Sequence, residues 1–399
     1  MASKRTMSEP ETILELPIEV AVESGKKYWW CTISLSPQRG RCVGKVVGFA
    51  IFMVSFAVGA AQPPIDADGT IAVPAFSLPV SSLIDEEARA VLKRVRDANQ
   101  AYDADAKSCP SPVNANWALM PEIRKCQGEE FAKTAAAFRD SFGVAMTAQE
   151  IGGVYTQVFT PKEGIAQRNQ NRVLINLHGG HFGFGSRYIS QAESVPISAV
   201  GKYKVISVDY RMAPEYSFPA ASQDVAAVYR EVLKTYKAEN IGIFGCSAGG
   251  LLTAESIAWF QKEALPLPGA VGMFGGAASY TREGDSGIFA AAREGFRLEP
   301  AAAHPYFKGV DPGNSLAFPI RSPEVMRKFP PALLISTSRD LALSSVAHTH
   351  SELIRLGVDA ELHVWEGMDH CFFAIPDLPQ TREVNEVVTR FFDRHLGGP

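Results

Sequence analysis

Residues 241–263 read IGIFGCSAGGLLTAESIAWFQKE. Ile241 to Gly245 is a short apolar run of the kind that forms a strand buried on both faces. From Ala248 onward the pattern is helical. Between them stands Gly245-Cys246-Ser247-Ala248-Gly249, a G-x-S-x-G set on a strand-to-helix junction. That turn is sharp enough to hold Ser247 strained and exposed, and glycines two before and two after leave room for it. The N–H of Ala248 then points to where a substrate oxyanion would form. The pattern alone is common. Gly284-Asp285-Ser286-Gly287 looks similar, but no strand precedes it and the final glycine is missing. The bland alternative for Ser247 is a tight turn with an idle serine.

Outward from this stretch, short apolar runs alternate with helical ones. Strands are predicted at 153–159, 172–177, 204–210, 241–245, 270–276, 331–337 and 360–365. Helices are predicted at 224–236, 248–263, 344–356 and 380–395. Near-continuous Val/Ile/Leu strands with helices between them predict a mainly parallel, doubly wound α/β sheet covered on both faces, spanning 151–399. Residues 279–325, rich in Ala, Gly and Pro, read as an insertion near the site. Ahead of the sheet, 62–150 reads as an extended arm followed by helical segments between 84 and 143, with SCPSPVNAN (108–116) as a loop.

Function in such sheets sits at the carboxyl ends of the strands. RVLINL (172–177) delivers His178-Gly179-Gly180-His181-Phe182. Its two glycines permit close backbone approach, and the N–H groups of Gly179 and Gly180 can complete an oxyanion hole with Ala248; a plain glycine loop is the alternative. A serine nucleophile needs a base and an orienting carboxylate, supplied in the order Ser, Asp or Glu, His. PALLIST (331–337) is followed by Asp340, and AELHVW (360–365) by His370. His348, His350, His363 and His395 fall within helices or a strand and read as structural or solvent-facing. Asp369 competes with Asp340, but a residue adjacent to the histidine in sequence is poorly placed to reach its Nδ1.

These motifs together, H-G-G-x-F, then Asp209-Tyr210-Arg211-Met212-Ala213-Pro214-Glu215, Phe218-Pro219-Ala220-Ala221, G-x-S-A-G-G and G-M-x-H, resemble the hormone-sensitive-lipase-like family of α/β-hydrolases. The resemblance runs from about residue 150 to the end. It implies an α/β-hydrolase fold with a helical N-terminal cap, and a serine ester hydrolase acting on small, short-chain acyl esters without a cofactor or metal. It implies Ser247, Asp340 and His370 as the triad, and Gly179, Gly180 and Ala248 as the oxyanion donors. A lactonase or amidase with the same triad is an alternative, as is a non-catalytic binder of a small ligand.

Three departures stand out. His181 replaces the family's third glycine or alanine; it either contributes to the acyl pocket with Phe182 or is a displaced surface histidine. Phe182, Phe184 and Tyr188 either line the entrance or pack in the core. Cys246 stands where Asp is frequent and reads as a small buried hydrophobe, with Cys371 buried as well. Leu341-Ala342 follows Asp340 where Pro-Leu is usual.

Composition sets the bounds. The 399 residues are 46% hydrophobic, carry a net charge of −4 and lack a Lys/Arg-rich stripe, which excludes a nucleic-acid footprint. VVGFAIFMVSFAVGAA (46–61) has no charge, follows Arg39, Arg41 and Lys45, and ends on small residues before Gln62. That reads as a signal for export, periplasmic or secreted, within an N-terminal extension of residues 1–61. The run is short against the roughly 20 residues of a spanning helix, so no membrane span is expected after processing; uncleaved, it would be an anchor. So long a segment before the apolar run predicts a translation start within it, near Leu35 or Val43. Export permits disulfides. Cys109 and Cys126, 17 residues apart, read either as a pair or as two buried thiols.

Overall fold

The structure, a computed structural model, describes residues 65–397 except 105–108 and 113–115, together with two short strands, β1 (Val20–Val22) and β2 (Lys26–Tyr28). The export-signal run at 46–61 lies outside the described residues. The chain divides into two units, Met1–Phe76 and Ser77–Pro399. In the first, β1 and β2 pair antiparallel, and Ile65 bridges Ile71 across a turn.

The second unit is built on eight strands: β3 (Val144–Ile151), β4 (Val154–Pro161), β5 (Val173–Leu177), β6 (Val205–Val208), β7 (Ile241–Cys246), β8 (Ala270–Phe274), β9 (Ala332–Thr337) and β10 (Ala360–Trp365). They lie in the order β10-β9-β8-β7-β5-β6-β4-β3. Neighbours from β6 through β10 run parallel, and β4 is antiparallel to both β3 and β6. Its helices are α1 (Glu86–Ala104), α2 (Met120–Ser141), α3 (Ile189–Gly201), α4 (Ala220–Val232), α5 (Ala248–Lys262), α6 (Asp285–Glu294), α7 (Pro323–Met326), α8 (Leu343–Arg355) and α9 (Pro379–His395). No helix among the described residues is long and apolar enough to cross a membrane.

Strand residues alternate between two cores, as a period of two requires. Ile241 and Ile243 of β7 join one core with Val225, Leu252 and Val346 of α4, α5 and α8. Phe244 and Cys246 join the other with Val195, Val388 and Phe392 of α3 and α9, together with Ile84, Ala88 and Val91. The helix α1, expected in a cap, therefore begins by packing on the α9 side of the sheet. The sheet also starts earlier than the boundary at 151. Strand β3 buries only Val144 fully, so as an exposed edge strand it carries no apolar run for a sequence reading to detect. In the insertion, Tyr306, Phe307 and Phe318 are buried in the first core. Ser286 of the decoy motif sits in the first turn of α6 and donates to Leu341 O at 2.9 Å.

After β5 the chain winds to β6 on one side, then returns to place β7 on β5's other side. The winding reverses there, so the crevice opens between the carboxyl ends of β5 and β7. Leu177 pairs with Gly245 as the last register pair of the two strands. Helix α5 enters so close to β5 that a Cβ on Gly249 would overlap the Leu177 carbonyl. Gly128 of α2, by contrast, has open space where its Cβ would stand. Gly249→Ala should therefore destabilise by at least about 1–3 kcal/mol. Gly128→Ala should stabilise by about 0.5–1 kcal/mol, as expected for a helix-interior glycine. Thermal unfolding of the two variants beside the parent checks both signs.

Candidate active site

Ser247 caps α5 with φ 59° and ψ −119°, a backbone conformation costly for any side chain larger than glycine's. The surroundings over-determine it. Ser247 N donates to Phe274 O at 2.7 Å, and Ser247 O accepts from Gly250 N at 3.0 Å and Leu251 N at 3.2 Å. Its side chain is half-buried at the mouth of the crevice.

Asp340 follows β9 and is 2% exposed. His370 Nδ1–H donates to Asp340 Oδ1 at 2.6 Å. Asp340 also accepts from Ala342 N at 2.8 Å and Ser336 Oγ at 2.9 Å. Burial pushes the Asp340 pKa upward, but the His370 charge and these three donors hold it below the ordinary value. For His370, burial pulls the pKa down and the Asp340 carboxylate raises it further, so it ends above the usual value. Gly275, with φ 54°, forms the wall behind the pair; a Cβ there would stand 3.0 Å from His370 Cε1 and 3.2 Å from Asp340 Oδ2. Asp369 instead faces Arg293 at 3.1 Å. The rival histidines lie elsewhere: His350 contacts Ala360 O, His363 faces Glu361, and His395 faces Asp359 and Glu361. Ser247 Oγ makes no hydrogen bond to His370, a contact that commonly tightens only in the substrate complex.

The cysteine expectations change. Cys246 and Cys371, read from sequence as separate buried residues, are joined in a disulfide. Cys109 and Cys126 form a second one. Sequence could not pair the first two because they lie 125 residues apart, one at the end of β7 and one on the loop after β10, which only the sheet brings together.

The oxyanion donors also change. Gly179 N already donates to Glu193 Oε1 at 2.9 Å, so this N–H is not available to a substrate. The N–H groups of Gly180, His181 and Ala248 have no partner among the described residues. His181 and Phe182 each have φ 52°, which explains why glycine suits the motif's third position. Phe182 is 2% exposed and stacks on Tyr306 at 4.2 Å, so it packs in the core. His181 packs against Trp117 and His304, with ring centroids at 5.6 and 4.3 Å, and its Nε2 is enclosed without a partner. Burial, reinforced by nearby positive groups, pushes its pKa well below the usual value and keeps the ring neutral. His304 Nε2–H donates to His181 O at 3.1 Å, so the 279–325 insertion reaches the loop. From the other side, Arg124 of α2 donates to Gly183 O at 2.8 Å and Ala213 O at 3.0 Å and pairs with Glu215.

Glu193 was not among the sequence candidates. It is 4% exposed on α3, where it is the only charged residue, and that isolation was the one signal available. It accepts from Gly179 N and from Asn176 Nδ2 at 2.8 Å, and the Cys246 backbone also stabilises its charge. Ser207 Oγ donates to Asn176 Oδ1 at 2.8 Å, extending the network across β6. Burial nevertheless raises its pKa to about 7. A cleft of about 630 Å³ lined by Arg124, Arg139, Gln157 and Arg187 lies between α2 and the sheet, and none of Ser247, Asp340 and His370 lines it. Glu193→Ala should orphan two buried donors, each costing about 1–3 kcal/mol. Chemical denaturation of that variant measures the loss, and an unchanged midpoint would remove Glu193 from the support of the loop.

A model of the alpha/beta hydrolase fold matches residues 174–374, half of the chain. The chain is 28% identical over 236 residues to an acetyl-hydrolase of Streptomyces hygroscopicus, covering 58% of this chain and 78% of that protein. Its structure is similar to that of the esterase E25, with a TM-score of 0.70 and 26% identity over 82% of this chain and 99% of that one. It shares its fold with an esterase from the bacterial hormone-sensitive lipase family, with a TM-score of 0.64 and 22% identity over 79% and 99% of the two chains. The strand order, the strained serine turn and the matched span agree: the chain belongs to the alpha/beta hydrolase fold family.

Proposed function

We propose that this carboxylesterase hydrolyses esters of small acyl groups through an acyl-enzyme on Ser247, with His370 as general base and Asp340 orienting it. The observation that carries the reading is the 2.6 Å contact of His370 Nδ1–H with Oδ1 of the buried Asp340. It fixes the tautomer that leaves Nε2 free to accept the serine proton. The Ser247 alkoxide attacks the ester carbonyl, and Gly180, His181 and Ala248 supply the uncommitted N–H groups for the oxyanion. His370 then protonates the departing alcohol. Water, activated by the same imidazole, releases the acid.

The preference for small acyl groups is supported by Trp117, His181 and His304, whose rings crowd together beside the oxyanion loop. The name of the Streptomyces relative, an acetyl-hydrolase, points the same way. A non-catalytic binder would have no need of a histidine held to a buried carboxylate.

Ser247→Ala should lower kcat on the order of 10⁶-fold and abolish labelling by a fluorophosphonate. Retained ester turnover would refute the nucleophile. On p-nitrophenyl esters of increasing length, with lactones alongside, kcat/KM should peak at the shortest acyl chains; a maximum at long chains would overturn the small-acyl reading. Hydrolysis needs neutral His370, so the rate rises with pH through the histidine's pKa. Because Asp340 raises that pKa, the acid limb of kcat/KM should have its midpoint above about 6.5. In Asp340→Asn the limb should move to lower pH and kcat should fall about 10⁴-fold.

A further inference from the structure

Cys246 immediately precedes Ser247, Cys371 immediately follows His370, and the two sulfurs are bonded. The elbow that carries Ser247 ends β7, whereas the loop that carries His370 follows β10 at the edge of the sheet, three strands away. That separation is about 14 Å at the usual strand spacing. The histidine loop is hydrogen-bonded toward β9 and the loop that follows it. Thr337 Oγ1 donates to Met368 O at 2.5 Å, Gly367 N donates to Ser338 Oγ at 2.7 Å, and His370 holds Asp340. No hydrogen bond among the described residues ties residues 366–375 to β7 or to the serine turn. Cys371 itself is a left-handed residue at φ 51°. Polar contacts therefore set His370 against Asp340, while a covalent bond sets it against Ser247.

We propose that the Cys246–Cys371 disulfide is a positioning tether that registers the general base on the nucleophile, so that ester hydrolysis belongs to the oxidised chain and falls when the bond is reduced. The proposal rests on the acyl-enzyme reading above. Reduction needs a dithiol. Its thiolate attacks one sulfur, the S–S bond breaks, and a mixed disulfide forms. The second thiol then displaces it, leaving Cys246 and Cys371 as thiols and the reagent as a cyclic disulfide. The transfer moves two electrons and two protons to the chain. Cys246 is fully buried and Cys371 is partly exposed, so attack comes at the Cys371 sulfur. After reduction His370 keeps Asp340 and its raised pKa but loses its fixed distance to Ser247.

The test compares the full oxidised chain, its dithiothreitol-reduced form, Cys246→Ala/Cys371→Ala, and Cys109→Ala/Cys126→Ala as a control with p-nitrophenyl acetate. Rates are expressed per site titrated by a fluorophosphonate, which corrects for any unfolded fraction. Reduction and the first double variant should each lower kcat about ten- to hundredfold, the cost of a misplaced catalytic group. KM and the midpoint of the acid limb should hold, because binding and the Asp340 contact are untouched. Reoxidation should restore the rate, and the control pair should keep it. If the disulfide only stabilises the fold, its loss would lower the unfolding temperature and leave kcat per site unchanged. That result overturns the tether, as does full turnover by a chain whose two thiols alkylate after reduction. An oxidised wild-type chain that neither labels nor turns over ester instead fails the acyl-enzyme reading, and the tether with it.

Discussion

Two backbones meet where β5 and β7 end, and the rest of the site depends on how closely they approach. Gly245 and Gly249 leave no side chain between the serine turn and the Leu177 carbonyl, so α5 starts directly against the neighbouring strand. That approach puts the Gly180-His181 loop beside Ser247, because both leave the sheet at the point where its winding reverses. Any larger residue would separate β5 from α5. The half-buried serine, the neighbouring N–H groups and the crevice between them follow from this one contact.

A buried carboxylate then holds the loop to the turn. Glu193 accepts from Gly179 N and from Asn176 Nδ2, and the Cys246 backbone on its other side also favours its charge. Burying it is unfavourable, which its raised pKa expresses, and the donors offset part of that penalty. The arrangement removes the Gly179 N–H from substrate binding and leaves those of Gly180, His181 and Ala248 uncommitted. Helix α2 and the 279–325 segment close the same loop from outside through Arg124 and His304. Three separate segments of chain thus converge on a stretch of about five residues.

Much of this was legible in the sequence. Ser247 could be located because its turn carries a local geometric demand, glycines at fixed offsets between a strand and a helix. Asp340 and His370 followed from chain order and from their place after apolar strands, and the structure brings those two into contact. The edge strand β3 was missed because it is exposed and carries no apolar pattern. Phe182 stayed open between a pocket and the core because an aromatic next to a motif looks the same whether it faces a ligand or Tyr306. Gly179 was read as a free donor because the sequence does not disclose which N–H group a distant carboxylate occupies.

By itself, then, the sequence determined the parallel sheet, the serine turn and the order of the groups around it, since each arises from periodicity or backbone conformation within a few residues. Only the tertiary structure decided which N–H groups remain uncommitted, which carboxylate is buried behind them, and that Cys246 and Cys371 meet. Those outcomes depend on hydrogen-bond partners and cross-links between segments far apart in the chain. A partner of that kind exists only once the strands are stacked in their order, and no local pattern carries it.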